Sequence, residues 1–466
     1  MQATTNRMGT ERIPILVLRL GLPIMLSMAI EALYNIIDSL YVSRLGDGPI
    51  AALSLAYPIQ QLVVALTSGL GLGASGAISR RLGRSEQQEA NEAGNTALCM
   101  SLGVSLLFLV FGGPLVGAYV RFFTDDPSLA GFSLTYIGIS IVLCGFQITS
   151  GVITFMLQGT GESVYTLLCL AVGVVCNLIL DPILMFGLDM GVAGAAWASI
   201  IGQAISCAIA TVLLVRSDKL SCLQRGQRIW RKSAAETILA IGVPTMLLQA
   251  SGSISLTLVN KILIGFTPLA VTAYGLYIKV ESFIFLPMHG MSNSLVPITS
   301  FNYGADRIDR ARGAYRWSLF FTYLYMLGFG FPLFQTHPEW LYGMFHPSAE
   351  LARQMEVAFP RVSLCFIGAP LLYQTAAYLQ GFGKGVRAAL ITLNRQVLGV
   401  LPAAYLLAHF VGLSGVWYCY FFGDLVGQTT AVILLVWLHR ELNSHNGGVA
   451  NADTPGSPSG LRSPRQ

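Results

Sequence analysis

VLRLGLPIMLSMAIEALYNIIDSLYV, residues 17–42, decides the fold. A helix crosses a bilayer with about 20 mainly apolar residues, and this run exceeds that length. It also carries Asp38. An Asp at the centre of a bilayer costs about 2.5–3.5 kcal/mol even on a lenient insertion scale. A chain that keeps such a group uses its protonation or its ion binding. Glu31, Tyr34, Asn35 and Asp38 fall at i, i+3, i+4 and i+7, which places them on one helical face. A polar stripe turned to lipid is costly, so this face is predicted to meet the bundle interior or a wet cavity. The plainer alternative is a hydrogen-bond cluster that joins helices.

The rest of the chain repeats the pattern of that run. Hydrophobic residues make up 54% of the 466 positions, and charged residues 11%. Mean hydropathy is +0.62. Soluble domains average roughly 45–50% apolar and about 25% charged. The composition therefore predicts an all-α membrane protein. Twelve spans are placed near 16–42, 50–78, 94–119, 128–157, 163–186, 192–215, 234–260, 268–298, 313–334, 352–379, 386–408 and 412–438. The first fifteen residues lack a short apolar core followed by a cleavage site, so the first run reads as a retained span. The eight cysteines show no paired spacing and read as small packing residues.

Basic residues set the orientation. The terminal stretches and alternate loops hold 21 of the 28 Lys and Arg, including Arg216, Lys219, Arg225, Arg228, Arg231 and Lys232 after the sixth span. The positive-inside rule predicts a multi-pass protein of the cell (inner) membrane with both termini cytoplasmic. The net charge of +5 is then a topology signal, with no nucleic-acid partner implied.

The chain also repeats itself. Gly21-Leu22-Pro23 matches Gly242-Val243-Pro244 at an offset of 221, and Leu82-Gly83 matches Tyr303-Gly304 at the same offset. Gln158-Gly159-Thr160-Gly161 matches Gln380-Gly381-Phe382-Gly383 at 222, and Gly191-Val192-Ala193-Gly194 matches Gly412-Leu413-Ser414-Gly415 at 221. This predicts two pseudo-symmetric six-helix bundles, residues 1–215 and 233–440, joined by a cytoplasmic linker at 216–232. Residues 441–466, rich in Gly, Ser, Pro and Asn, are predicted to be a disordered cytoplasmic tail. Six spans is an even number, so both halves enter the membrane the same way round, as in parallel-repeat transporters.

The fifth span places Asn177 and Asp181 at i, i+4, with Pro182 next. Pro182 has no backbone donor and frees the carbonyl of Leu178. A carboxylate, an amide and a free carbonyl are ligands for a hard cation. The alternative is a proline kink with local polar repair. At 1.5 Å per residue Asp38 lies about 32 Å and Asp181 about 27 Å from the cytoplasmic start of its helix. Ser199 on the sixth span reaches a similar level. Two neighbouring carboxylates in low dielectric resist ionising together, which suits proton exchange.

In the second half Lys279, Glu281, Arg395 and Asp424 fall near mid-depth. Ion pairing that holds this half together is the first reading, and a substrate contact by Glu281, Arg395 or Asp424 the sharper one. Five interior acids (Glu31, Asp38, Asp181, Glu281, Asp424) against two bases favour a cationic substrate. Gly71-Leu72-Gly73-Ala74-Ser75-Gly76 fits G-x-G-x-x-G, but lacks the strand–turn–helix setting of a dinucleotide site. Close helix approach explains it better. The scattered His and Cys form no catalytic constellation, so no enzyme is predicted.

Several stretches carry a family resemblance. They are Ile37-Asp38-Ser39-Leu40-Tyr41-Val42 with Leu45-Gly46, Ile78-Ser79-Arg80-Arg81-Leu82-Gly83, Asn177-Leu178-Ile179-Leu180-Asp181-Pro182, Gly191 to Ser199, Phe301-Asn302-Tyr303-Gly304-Ala305, and Gln380-Gly381-Phe382-Gly383. Over about residues 15–440 the chain resembles the multidrug and toxic compound extrusion (MATE) transporters, most closely their prokaryotic DinF-like branch. The resemblance implies a monomeric rocking antiporter that exports drugs and organic cations for protons or sodium, with no cofactor beyond the ion gradient. It implies a cation site at Asp38, Tyr34, Asn177, Asp181 and Ser199, the last standing where the branch usually has Thr, with sodium held by Asp38, Asn177 and Asp181. Glu31 and Asn35 join this set from the stripe alone. Leu247–Lys261 lacks the acid that another branch carries in the seventh span. The alternative function is a lipid-linked precursor flippase of related architecture, whose cavity would need cations for phosphate groups.

Overall fold

The computed structural model describes residues 6–222 and 226–450, without the side chains of Asp47, Ala250, Ser251, Ser253, Ile254 and 445–450. Arg225, Arg462, Arg465 and the tail from 451 lie outside the described residues. The described chain is helical, with no strand among the described residues.

Twelve long helical elements follow one another. They are α1 (Ile13–Ser43), α2 (Asp47–Gly83), α3 (Gln87–Phe123), α4 (Pro127–Val142 with Gly145–Gly159), α5 (Ser163–Pro182 continued by Ile183–Gly187) and α6 (Gly191–Arg216). The second half holds α7 (Lys232–Ile264), α8 (Pro268–Gly304), α9 (Ile308–Tyr325 continued to Thr336), α10 (Ala349–Val362 continued to Gly381), α11 (Gly385–Leu393 continued to Phe410) and α12 (Cys419–Ala450). Among the described residues nine are continuous and apolar enough to cross a membrane, and α4 and α10, each bent by 41°, bring the number to eleven. The predicted span at 234–260 lies on α7.

Local chemistry sets the ends. The Asp126, Thr267 and Ser348 side chains cap α4, α8 and α10 by accepting from backbone N–H groups, and proline opens α4 and α8 at the first turn, where its missing donor costs nothing. Two of the four sequence matches are matches of turns. Gly161 and Gly383 share a positive φ, of 85° and 77°, and so do Gly191 and Gly412. Ser85 (61°) and Asp306 (56°), also 221 apart, match as well. Left-handed backbone favours glycine, which explains why these short matches stand out along the chain.

Many helices outrun the predicted spans, because they continue past the apolar stretch into the loops. α12 crosses the predicted tail boundary and runs on to Ala450. Glu441 is not part of a free tail: it pairs with Lys384 Nζ at 2.6 Å and Arg387 Nη1 at 2.8 Å.

The helices close tightly at the end that carries the basic loops. α2 lies along α7 and α8, and α1 along α8. A Cβ at Gly83 would strike the Phe301 carbonyl, and one at Gly304 the Arg80 carbonyl, so backbone meets backbone there. Gly69 and Gly242 meet the same way. The G-x-G-x-x-G stretch serves this packing, with Gly73 against the Ile238 carbonyl. Ser79 Oγ donates to the Gly159 carbonyl at 2.7 Å, and its equivalent Ser300 Oγ to the Gly381 carbonyl at 2.8 Å. The N-terminal turn Arg7–Thr10 lies across this end. Asn6 Nδ2 donates to the Thr160 carbonyl at 3.4 Å, while Arg310 Nη2 and Arg307 Nη1 donate to the Glu11 and Gly9 carbonyls at 2.7 and 2.8 Å.

Candidate functional site

A cavity of about 1770 Å³ runs inward from the opposite end. Tyr57, Met344 and Phe345 line its mouth side and Leu72, Gln158 and Gln380 its floor. Both halves of the chain contribute walls.

On the first-half wall the structure brings together α1, α5 and α6. Tyr34 OH and Ser199 Oγ share a hydrogen bond of 3.0 Å, and Asn177 Nδ2 donates to the same Oγ at 3.2 Å. Asp38 is 6% exposed and Asp181 0%. They are near enough that the charge of one acts on the other, and Tyr34 feels both. Asp38 Oδ1, Asn177 Oδ1 and both carboxylate oxygens of Asp181 have no hydrogen-bond donor among the described residues. Buried acceptors left unpaired carry the full cost of desolvation, about 1–3 kcal/mol each and more when charged. A proton or a small hard cation would relieve that cost, and the oxygens present fit either.

Asp181 ends a regular helix at Pro182, and the chain runs on through a π turn, Ile183–Gly187. The wider turn carries the helix past the proline where the sequence suggested a local break; such turns recur at functional sites. Glu31 and Asn35 line the cavity but stay exposed, outside the hydrogen-bonded group. Tyr136 of α4 was missed by the sequence reading. It lies within electrostatic range of both aspartates and is hydrogen-bonded by Gln60 of α2. Its only sequence signal was a polar ring edge inside the predicted fourth span.

The second half is arranged otherwise. Arg395 sits on the π-helical stretch Asn394–Val400 of α11 and donates from Nε to Asp424 Oδ1 of α12. Its guanidinium also lies 5.6 Å from the Tyr420 ring centroid. Glu281 accepts from Tyr277 OH at 3.2 Å and from Cys365 Sγ at 3.9 Å. The expected two-by-two pairing is therefore half realised, since Lys279 and Glu281 are two residues apart on one helix and point to different sides. Among the described residues no carboxylate lies within 4.0 Å of Lys279. The count of five acids against two bases does not describe the cavity either. Glu31 and Asp38 line it, as do Lys279 and Arg395, whereas Asp181, Glu281 and Asp424 stand behind its wall.

Comparison with known proteins bears on this arrangement. A multidrug export protein of Staphylococcus saprophyticus is 22% identical over 436 residues, covering 90% of this chain and 93% of its own. An FAD transporter of Shewanella oneidensis is 23% identical, covering 88% and 92%. A solved outward-facing multidrug resistance MATE transporter superposes with a TM-score of 0.88 at 23% identity, covering 95% of this chain and 99% of its own. At that identity the likeness speaks to the fold. The MatE family model matches residues 23–183 and 243–406. The two matched blocks cover most of α1, α5 and α11 with their interior charges, and on that match the chain belongs to the MatE family of membrane transporters, which are not enzymes.

Proposed function

We propose that the protein is a secondary active multidrug efflux antiporter. It exports amphipathic, mostly cationic compounds across the inner membrane in exchange for protons or sodium. The observation that carries this reading is the group of unpaired oxygens on Asp38, Asn177 and Asp181, buried beside a cavity large enough for drug-sized ligands. The residues 1–215 and 233–440 act as two lobes, and rocking one against the other exposes the cavity to alternate sides. With the basic loops in the cytoplasm, the structure is open to the outside and sealed within.

The coupling follows from electrostatics. In the outward-open form a proton or sodium ion entering from outside satisfies the unpaired oxygens. Loading removes the repulsion between Asp38 and Asp181 and lets their helices close around the ion. Drug and ion then compete for one negatively charged wall, so release of one accompanies binding of the other.

The test is ethidium efflux from proteoliposomes under separate pH and sodium gradients. Wild-type protein is expected to move ethidium under at least one gradient. Asp38→Asn and Asp181→Asn are expected to insert normally and to lose gradient-driven efflux. Wild-type rates in either variant refute that residue's role. Headgroup-dependent lipid scrambling without dye efflux would establish the flippase reading instead.

A further inference from the structure

The charged residues that face the cavity divide by half. Glu31 and Asp38 stand on α1 of the first half, and Lys279 and Arg395 on α8 and α11 of the second. Levels match across the divide. Glu31 lies 12 residues inward from the mouth end of α1 and Lys279 lies 11 inward from that of α8. At 1.5 Å per residue that is about 18 Å and about 17 Å. The cavity thus presents an acid and a base at one depth, near the middle of the membrane.

Lys279 has no structural task. It is exposed in the cavity, and among the described residues no carboxylate lies within ion-pairing reach. Arg395, by contrast, is 7% exposed and already holds Asp424. The second-half wall therefore offers one uncommitted positive charge. A fixed ammonium at mid-depth is expensive unless water or a ligand solvates it. One net charge suits a monoanion such as a carboxylate better than a phosphate group with two.

We propose that Lys279 is an anion subsite on the second-half wall. The transported compounds then include amphoteric amphiphiles, whose cationic end turns to Glu31 and Asp38 and whose carboxylate turns to Lys279. The inference deepens the efflux reading and rests on it for transport, though binding can be measured alone.

The experiment uses rhodamine B and its ethyl ester, which share one cationic ring system and differ by a free carboxylate. Binding of each to the full chain in nanodiscs is followed by fluorescence anisotropy, and export of each from proteoliposomes is measured in parallel. Wild-type protein is expected to bind rhodamine B at least as tightly as the ester. Lys279→Gln is expected to lower the ratio of rhodamine B to ester affinity on the order of tenfold, Lys279→Arg to preserve it, and Glu31→Gln to raise it. An unchanged ratio in Lys279→Gln overturns the subsite. So does a tenfold wild-type preference for the ester, a result that needs no variant to fold. Lys279-dependent binding without export of either dye would sink the efflux reading and leave the subsite standing.

Discussion

Replacing Gly304 by alanine tests how the closed end works. The added Cβ would overlap the carbonyl of Arg80, and the equivalent change at Gly83 would overlap the carbonyl of Phe301 and the amide of Ala305. In each case the obstacle is backbone, which cannot rotate aside as a side chain could. Overpacking of this kind costs about 1–3 kcal/mol. The methyl group itself favours a helix by about 0.5–1 kcal/mol, but it does so whichever end is open. The closed-inside state should therefore lose about fivefold to a hundredfold in population against the alternative. The assay is a spin-label distance between Arg84→Cys and Asp309→Cys, two exposed positions on either side of the seam, on a chain whose native cysteines have been replaced. The expected result is growth of a longer-distance population in Gly304→Ala and in Gly83→Ala. Distance distributions that match the parent in both variants would refute the argument that this seam sets the conformational balance.

Three further outcomes follow from other contacts. Ser199→Ala removes the hydroxyl shared by Tyr34 and Asn177 and should weaken ion-driven ethidium efflux about tenfold or more, with Ser199→Thr retaining it; equal efflux in both variants would remove Ser199 from the site. Asp424→Asn leaves the Arg395 guanidinium without its carboxylate and should cost about 3–5 kcal/mol, seen as a lowered thermal transition in detergent, whereas Arg395→Met with Asp424→Leu should recover most of it. Arg231 holds Glu89 and Glu92, both at 2.8 Å, so Arg231→Gln should loosen the segment between α6 and α7 by about 1.5–3 kcal/mol; limited proteolysis there is expected to quicken by an order of magnitude or more.

Much of this was legible in the sequence. Apolar runs mark the helices because each must satisfy its backbone internally within lipid. The 221-residue repeat was readable because glycine recurs at two left-handed turns that the halves share, Gly161 with Gly383 and Gly191 with Gly412, and at the close contact of Gly83 and Gly304. The aspartates stood out because a carboxylate in such a run is rare, and helical spacing placed Tyr34 on the face of Asp38. Other features depend on tertiary packing. Tyr136 joins the site from a helix with no acidic residue, so its spacing gave no signal. The four second-half charges were read as two ion pairs because two acids and two bases fall at one depth, yet only Arg395 and Asp424 meet, and the two-residue step from Lys279 to Glu281 turns those two apart. Counting interior acids failed for a related reason: composition does not say which carboxylates reach a cavity and which stand behind its wall. The extension of α12 was missed because its Asn- and Gly-containing end reads as coil, while its anchor, Glu441, depends on two cations that lie more than fifty positions earlier.

The twin bonds from Ser79 and Ser300 brace each half where it meets the inner seal, α2 to α4 in one and α8 to α10 in the other, built on the same plan. The charged groups facing the cavity follow no such plan, with acids on one flank and bases on the other. Door and cargo hold are thus under separate control. A lineage could exchange Glu31 or Lys279 to suit a new compound without redesigning how the gate shuts, and each altered preference would inherit a working machine.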